Sequence, residues 1–482
     1  MQISQRHTEL PSTLYFPVRP ANFPNTRLIY RNTAWAKRLK MQSVLQTDQD
    51  WENRFGRFQP FDEGQAEPLA LCYHGHQFGV YNPDLGDGRG FLYAQCVDPV
   101  SGRLLDFGTK GSGQTPFSRT ADGRLTLKGA VRELLATEML DALGVNTSKT
   151  FAILETGEQL TRHDEPSPTR SAVLTRLSHG HIRIGSFQRL LYLKDHTTLE
   201  TLVRYALSVY YQVEDADFMP VAEAAERLLI LVAENMARLV ASWLAAGFVH
   251  GVLNTDNFNI SGESFDYGPW RFLAVMDPGF TAAYFDHQSR YCYGRQPEAT
   301  FWALCRLADC FVPFLTVEHL QKLVGRYHDV LESEVVAAAC RRLGVDHGWD
   351  QASAMVAAFM AGLRSGQMKY DEACFDWYGG SARDAADKGK RKSLYQASGF
   401  AEAADLLRSA PPAKNSHPDA AYFAKDDPVH LRIEQVEAIW APIAAEDDWS
   451  ELAASLRAIH EMAEAYALRD EPASGLLLDH PV

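Results

Sequence analysis

The dominant period of the hydrophobic pattern changes near residue 197, and this change constrains the fold more than any other feature. Before it, short β-like runs at 91–97, 104–110, 150–155 and 171–177 are separated by polar turns. Residues 128–144 interrupt this series with apolar side chains at helical spacing. After it, helical periodicities follow at 199–211, 221–247, 317–343 and 350–364. The pattern predicts an α+β fold with a strand-rich first half and a mostly helical second half.

The same change of pattern suggests how the chain is divided. Residues 1–65 are expected to form an extended N-terminal arm with one short helix. Residues 66–195 are expected to form a strand-rich lobe, residues 196–400 a helical lobe, and residues 401–482 an acidic helical C-terminal extension. Inside the helical lobe, the polar stretch 250–280 carries a short β-like run at 271–276, and such loops often hold functional residues. The lysine-rich segment 387–392 is expected to be a solvated loop.

Composition and charge restrict the partners of the chain. Its 482 residues include 47 lysines and arginines and 61 aspartates and glutamates, which gives a formal net charge of −14. Such a surface repels nucleic acid and anionic membranes, so neither is expected as a partner. The longest strongly apolar stretch, at 228–233, is far shorter than the roughly 20 residues of a membrane span. Seven cysteines without a Cys-x-x-Cys pair, and an N-terminus without a targeting pattern, predict a cytoplasmic protein.

The first candidate motif is a glycine-rich turn, Leu85-Gly-Asp-Gly-Arg-Gly90, which runs into the predicted strand 91–97. Closely spaced glycines let backbone N–H groups approach a phosphate, which a Cβ atom would obstruct. The guanidinium of Arg89 favours such a ligand. A Gly-Asp-Gly sequence is also a common tight turn, so the motif alone does not decide between the two interpretations.

The second motif pairs Lys110, at the end of strand 104–110, with Glu133 on helix 128–144. In kinase-like folds a strand lysine is held by a helix carboxylate and contacts nucleotide phosphates. The separation of 23 residues permits this geometry. Taken alone, a surface lysine and a solvated glutamate are the simpler interpretation of these two residues.

The third motif, at 250–260, contains Asp256 and Asn257 and is followed by Asp266 in an Asp-Tyr-Gly turn. An amide and a carboxylate offer oxygen ligands for a divalent cation that bridges phosphates. The order matches the catalytic loop and metal-binding aspartate of kinases, but Val252 stands where kinases carry their catalytic aspartate. Asp256 is therefore the candidate general base. Asx residues also favour turns, which is the structural alternative.

Two arginines, Arg176 and Arg183, flank a short polar segment at the end of strand 171–177. Near a nucleotide site, their guanidinium groups could each hold phosphate oxygens in a bidentate manner. Taken alone, two surface arginines are the simpler interpretation.

Together, these motifs make the sequence similar to the selenoprotein O family, also called YdiU, of kinase-fold protein adenylyltransferases. The resemblance covers roughly residues 10–375. It is carried by the stretches 74–79, 85–89, 108–119, 122–124, 132–133, 174–176, 181–183, 250–257, 266–269, 290–291 and 296–297. It implies a protein-kinase-like bilobal fold, with a strand-rich N-lobe and a mostly helical C-lobe.

The resemblance also implies an activity. Members of the family are understood to bind ATP in an inverted orientation and to transfer AMP to Ser, Thr or Tyr hydroxyls of proteins, with release of pyrophosphate. Matched residue by residue, the nucleotide contacts would be Gly86, Gly88, Arg89, Lys110, Asp122, Gly123, Arg176, Arg183 and Asp266. Glu133 would hold Lys110 in an ion pair, Asn257 and Asp266 would bind Mg²⁺ or Mn²⁺, and Asp256 would accept the proton.

The sequence also departs from the family. Many members carry a cysteine or selenocysteine close to the C-terminus, whereas the last cysteine here is Cys374. A redox role for a terminal cysteine is therefore not expected. The Asn-rich arginine motif usual in the C-terminal region of the family is not recognisable after Pro411, which leaves the choice of protein substrate open.

Two alternative functions remain at this point. An ordinary protein kinase would use the same fold to transfer the γ-phosphate, although Val252 removes its usual base. A catalytically inactive nucleotide-binding scaffold would keep the fold without the reaction. The joint presence of Lys110, Asp256, Asn257 and Asp266 favours an enzyme.

Overall fold

The computed structural model describes residues 1–163 and 165–468. Its strands are β1 (Gln2–Ser4), β2 (Tyr15–Pro17), β3 (Arg27–Arg31), β4 (Leu69–Leu71), β5 (Gly75–Gln77), β6 (Val80–Asn82), β7 (Leu92–Val97), β8 (Leu104–Lys110), β9 (Leu125–Thr126), β10 (Lys149–Leu160), β11 (Thr169–Ser178), β12 (Phe248–Val249) and β13 (Arg271–Phe272). Its α-helices are α1 (Thr33–Arg38), α2 (Asp48–Trp51), α3 (Leu127–Ala142), α4 (Ile184–Tyr192), α5 (His196–Tyr210), α6 (Val221–Ala246), α7 (Gln296–Asp309), α8 (Val317–Leu343), α9 (Trp349–Gly366), α10 (Tyr370–Asp376), α11 (Ala385–Lys388), α12 (Lys392–Tyr395), α13 (Ala401–Ser409), α14 (Ile433–Glu446) and α15 (Ser450–Tyr466).

The first half of the chain forms one antiparallel sheet in the order β2-β4-β7-β8-β11-β10-β3, with β1 beside β7 and β9 beside β11. Strand β8 lies in the middle, where both of its edges are paired. Lys110 on β8 stands opposite Leu174 on β11, and Arg176 follows two residues further along β11. Because side chains alternate along a strand, Lys110 and Arg176 project from the same face of the sheet.

The N-terminal segment differs from the expected extended arm, because its strands β1, β2 and β3 pair with β7, β4 and β10. Its aromatic side chains also complete the core on one face of the sheet. The ring of Phe55 lies 5.2 Å from Phe151 and 5.9 Å from Phe107. These residues are almost fully buried, so the segment is part of the strand-rich lobe.

Helix α3 confirms the helix predicted at 128–144 and crosses the opposite face of the sheet. The Thr126 hydroxyl caps its first turn by accepting a hydrogen bond from Gly129 N at 3.1 Å. Most of its side chains are buried, because the sheet covers one side and α15 packs against another. This burial places the carboxylate of Glu133 beneath the sheet.

The second half of the chain is helical, as predicted, and is organised around the packed pair α6 and α8. Helix α6 ends at Gly247, whose φ of +65° suits a residue without Cβ. Within the described part of the chain, α6 alone is long and apolar enough to cross a membrane by length and composition, and most of its apolar window is buried in the protein. A core helix passes the same test.

Two local expectations are corrected. The β-like run at 271–276 forms only the two-residue strand β13, which pairs with β12. The lysine-rich segment 387–392 is not simply a solvated loop, because it contributes to α11 and α12. Arg391 is nearly buried there and binds Asp376, with Nε 2.6 Å from Oδ2.

The C-terminal extension is helical, as expected, and packs against the strand-rich lobe. On α15, His460 Nε2 lies 2.8 Å from Glu138 Oε2 on α3. Residues 469–482 of the predicted extension, including its end without a cysteine, lie outside the described residues.

Candidate functional site

Lys110 is the centre of a buried charge cluster between the sheet, α3 and the loop after β12. Its Nζ lies 2.6 Å from Glu133 Oε2 and 2.8 Å from Asp266 Oδ1. The Lys110 and Glu133 side chains are 5% and 1% exposed, so the pair is shielded from water. The Lys110–Glu133 pair is the predicted one, and the contact of Lys110 with Asp266 is an addition that the structure shows.

Two buried arginines extend this cluster. Arg176 Nη1 lies 3.3 Å from Asp266 Oδ1, and Arg183 Nη2 donates a hydrogen bond to Asp87 Oδ1 at 3.1 Å. The Phe265 ring packs between them, with guanidinium-to-centroid distances of 5.2 Å for Arg176 and 4.9 Å for Arg183. Cation–π contacts of this kind hold guanidinium groups in place without neutralising them.

The carboxylate of Asp266 lies in the positive electrostatic potential of these cations. Its backbone adopts a left-handed conformation with φ of +65°, a strained state that persists only where the surroundings enforce it. Burial opposes ionisation, yet Lys110, Arg176 and Arg183 together hold the pKa of Asp266 well below its ordinary value. The carboxylate is thus charged at any physiological pH.

The cluster faces a cavity of about 330 Å³ roofed by the glycine-rich turn. Its lining includes seven predicted site residues, Gly86, Gly88, Arg89, Lys110, Arg176, Arg183 and Asp266. A Cβ atom at Gly86 would lie 2.3 Å from the Phe117 ring, so this glycine is needed because Phe117 packs over the turn. Arg89 is exposed at the mouth, close enough to help lower the pKa of Asp266.

Asp256 lies beside this cavity on the loop after β12. Its carbonyl oxygen accepts a hydrogen bond from Arg183 Nη1 at 3.0 Å. Its carboxylate oxygen Oδ1 is buried and makes no hydrogen bond to the described residues. Burial raises the pKa of Asp256 to about 6, although Arg183 opposes the rise. An unpartnered carboxylate with a raised pKa has the properties of a general base.

The loop that carries Asp256 is fixed from both sides. His250 is buried, and its Nε2 lies 3.0 Å from the carbonyl oxygen of Phe265. The Thr255 hydroxyl donates to Gln188 on α4 and accepts from His76 N on β5, both at 2.7 Å. These contacts restrict the position of Asp256 relative to both lobes.

Asp122 and Gly123 stand apart from the other predicted nucleotide contacts. The Asp122 carboxylate is exposed and binds Arg162 at 2.8 Å. Neither Asp122 nor Gly123 lines the cavity. Gly123 has φ of +71°, and a Cβ atom there would lie 2.3 Å from the backbone of Gly113. The neighbouring Ala121 does line the cavity, so the turn borders the site.

Asn257 and Asp266 are the predicted oxygen ligands for a divalent cation. Asn257 Nδ2 donates to the carbonyl oxygen of Val252 at 2.8 Å, which leaves its amide oxygen as the possible ligand. No cluster of three or more His, Cys, Asp or Glu side chains suited to a metal occurs among the described residues. One amide and one carboxylate fit Mg²⁺, which usually takes few protein ligands and completes its shell with phosphates and water.

A larger cavity, of about 590 Å³, lies elsewhere between the lobes. Its lining includes Arg103, Lys149, Asp141 and Glu263, and Lys149 is paired with Asp141 at 2.7 Å. It contains none of the predicted site residues. We therefore place the functional site at the smaller cavity, where the cations converge.

Sequence reasoning missed several residues that build the site. Asp87 binds Arg183, the Tyr73 ring lies 4.4 Å below the same guanidinium, and Phe265 separates the arginines. Asp87 is a polar residue inside the glycine motif, which was a usable signal. The aromatic residues gave none, because a buried ring has the same pattern in any core.

A strand-rich lobe, a helical lobe and a strand lysine paired with a helix glutamate define the class: a protein of α+β, protein-kinase-like organisation. A family model described as "Protein adenylyltransferase SelO" matches residues 1–460. The chain therefore belongs to the SelO family of protein nucleotidyltransferases, a family of enzymes.

Curated relatives agree with this assignment. A protein of Synechococcus elongatus named "Protein nucleotidyltransferase YdiU" is 47% identical over 330 residues, which are 68% of this chain and 65% of that protein. A Synechocystis protein of the same name is 38% identical, over 91% of this chain and 94% of its own length. Among solved structures, ROP2 from Toxoplasma gondii, titled as having a protein-kinase fold and no enzymatic activity, covers 78% of this chain and 90% of its own, with TM-score 0.23 and 11% identity. That similarity is too low to carry an argument.

Proposed function

We propose that the protein transfers AMP from ATP to a Ser, Thr or Tyr hydroxyl of a protein and releases pyrophosphate. The observation that carries this proposal is the convergence of Lys110, Arg176 and Arg183 on Asp266 at the buried side of the cavity. Nucleotidyl transfer itself is the activity for which the family is named.

The placement of the cations supports an inverted nucleotide. The Arg176 and Arg183 side chains are 6% and 4% exposed, so their charge lies deep in the site. Buried positive charge on this scale favours the β- and γ-phosphates, which carry most of the negative charge of ATP. The α-phosphate would then face outward, towards the acceptor.

Asp256 is the residue that we propose as the proton acceptor. The acceptor oxygen would bond to the α-phosphorus while the bond from that phosphorus to the oxygen bridging the α- and β-phosphates breaks. The hydroxyl proton would pass to the Asp256 carboxylate, and pyrophosphate would leave with the bridging oxygen. Lys110, Arg176 and Arg183 would hold the charge that develops on pyrophosphate.

Asn257 and Asp266 would hold Mg²⁺, or Mn²⁺, which when bound supplies charge neutralisation for the phosphates. Asp266 now contacts Lys110 and Arg176, so binding a cation requires its carboxylate to share or exchange these partners. The low pKa of Asp266 keeps it ionised for this role.

We propose the cytoplasm as the location. All seven cysteines are unpaired, and five of them are buried. This use of cysteine suits a reducing compartment better than a secreted one.

The proposal is tested with ATP that carries a radioactive label on either the α- or the γ-phosphate, incubated with the enzyme, Mg²⁺ and a mixture of proteins. We expect acceptor proteins to retain the α label and pyrophosphate to carry the γ label. Retention of the γ label alone would establish an ordinary kinase instead. Binding of ATP with no label transferred would establish an inactive scaffold.

A further inference from the structure

An exposed apolar patch lies next to the loop that carries Asp256. We call Phe78, Val80, Tyr284 and Phe285 the apolar patch; their side chains are 37%, 72%, 82% and 41% exposed. Phe78 and Val80 belong to the β5–β6 hairpin, and the other two lie between β13 and α7. The Phe78 and Phe285 rings are 5.9 Å apart, so the two segments form one surface.

Asn254, two residues before Asp256, ties this surface to the reacting groups. Its side-chain oxygen accepts hydrogen bonds from Phe78 N at 3.0 Å and from the Tyr291 hydroxyl at 2.9 Å. The Phe78 and Tyr291 rings lie 5.1 Å apart. The patch is therefore fixed relative to Asp256 by a buried polar side chain.

The backbone of Phe78 is strained. Phe78 and Gly79 form the tip of the hairpin with φ of +50° and +85°. Glycine, asparagine or aspartate fit such a turn, whereas an aromatic residue at positive φ is an outlier. Strain of this kind tends to occur at binding sites, where the surroundings enforce it. Here it presents an aromatic ring to solvent beside the loop of Asp256.

A positive charge borders the patch. Arg290 is half-buried, and its guanidinium lies 5.0 Å from the centre of the Trp302 ring and beside Gly79. Its guanidinium forms no ion pair with a carboxylate in the part of the chain that the structure describes. An exposed apolar surface rimmed by an unneutralised charge is typical of a site that binds a polypeptide.

We propose that the apolar patch and Arg290 bind the acceptor polypeptide, by holding a large apolar side chain and a carboxylate that lie close to the hydroxyl residue. This inference rests on the proposed transfer to protein hydroxyls. It adds the substrate class: segments in which the acceptor hydroxyl has a large apolar neighbour and an acidic neighbour. The patch lies next to the loop of Asp256, because Asn254 on that loop accepts a hydrogen bond from Phe78 N. An acceptor whose hydroxyl reaches Asp256 would therefore extend across the patch.

The test uses sets of synthetic peptides that each contain a single Ser, Thr or Tyr, with one flanking position varied through all residue types. Incorporation of α-labelled AMP is measured for the wild type, Phe285→Ser, Arg290→Gln and the control Phe218→Ser. Phe218 is 89% exposed, lies between α5 and α6, and is outside the patch. Light scattering of the same proteins reports their oligomeric state.

We expect the wild type to prefer a large apolar neighbour over alanine by roughly tenfold, because burying such a side chain contributes about this factor. Phe285→Ser should reduce that preference to about twofold or less, with the KM for ATP unchanged. Arg290→Gln should remove the preference for Asp and Glu, and Phe218→Ser should change neither.

Wild-type transfer without flanking preferences, or preferences unchanged in Phe285→Ser and Arg290→Gln, would overturn the inference but leave the proposed function intact. Transfer of no α label to any peptide or protein would overturn both. A wild-type dimer that dissociates on Phe285→Ser, with flanking preferences unchanged, would assign the patch to a second copy of the chain instead.

Discussion

At the scale of single residues, Asp256 carries the proposed chemistry because its buried Oδ1 has no partner among the described residues. Replacing it by asparagine keeps the shape and removes the base. We expect Asp256→Asn to bind ATP with unchanged affinity and to transfer AMP about 10²–10⁴ times more slowly, the usual contribution of a general base. Calorimetry and the rate of label incorporation measure the two effects.

The matched control for this substitution is Asp350→Asn at the exposed start of α9, which should change neither quantity. Equal transfer by the wild type and Asp256→Asn would show that another group accepts the proton.

The raised pKa of Asp256 also sets a pH dependence. Burial raises this pKa to about 6, and a base works only in its ionised form. The kcat/KM should therefore fall about tenfold per pH unit below 6 and level off above it. A profile of kcat/KM against pH, measured with saturating metal, checks this expectation. In Asp256→Asn, kcat/KM should no longer fall below pH 6. A wild-type profile without a step near 6 would contradict the assignment.

At the scale of elements, the Lys110–Glu133 pair joins β8 to α3. Glu133→Gln would leave Lys110 buried with only Asp266 as its counter-ion. Breaking one partner of a buried pair costs several kcal/mol, so we expect a loss of about 2–4 kcal/mol in the free energy of unfolding. The KM for ATP should rise as well, because Lys110 loses its fixed position. Urea denaturation and steady-state kinetics measure these effects.

Glu437→Gln is the control for this pair. Glu437 binds Lys128, which lies on α3 like Glu133, at 2.7 Å, but the Glu437 side chain is 47% exposed. It should cost less than about 1 kcal/mol. Similar losses of unfolding free energy in Glu133→Gln and Glu437→Gln would mean that burial does not increase the contribution of the Lys110–Glu133 pair to stability.

The elements with strong local patterns were predictable from the sequence. Strands β7 and β8 and helix α3 are long enough to show their period, and α8 matches its predicted bounds. Strands β1, β2 and β3 were missed because they have three to five residues and pair with partners distant in sequence. Their burial comes from the fold, which a local pattern does not record.

Some features of the site were likewise predictable from the sequence, and others were not. The ion pair of Lys110 with Glu133 follows from residue type and order, whereas the contact of Lys110 with Asp266 was not predicted. The contacts of Arg183 with Tyr73 and Phe265 arise only when the lobes meet, so spacing along the chain does not reveal them. The binding roles of Asp122 and Gly123 remain predictions.

At the scale of the whole molecule, the C-terminal helices return to the strand-rich lobe. Asp447, at the end of α14, binds Arg27 on β3 at 2.7 Å and Arg170 on β11 at 2.8 Å. Hydrogen bonds from Arg27 and Arg170 hold the pKa of Asp447 below its ordinary value despite partial burial. A carboxylate with a lowered pKa stabilises the fold above its unfolded pKa and loses this contribution as the pH falls.

We therefore expect Asp447→Asn to have a lower melting temperature than the wild type at pH 7. The difference between the two melting temperatures should become smaller as the pH falls below about 4. Because the ion pairs of Asp447 with Arg27 and Arg170 are partly exposed, the loss in the free energy of unfolding at pH 7 should be about 1 kcal/mol or less. Asp419→Asn, at an exposed position, is the control. A difference between Asp447→Asn and the wild type that does not change with pH would contradict the linkage.

The orientation of ATP is tested most directly by a crystal structure of the protein with Mg²⁺ and a non-hydrolysable ATP analogue. We expect the β- and γ-phosphates to contact Lys110, Arg176 and Arg183, with the α-phosphate on the side of Asp256. A γ-phosphate that faces Asp256, with the α-phosphate among the buried arginines, would contradict inverted binding and transfer of AMP.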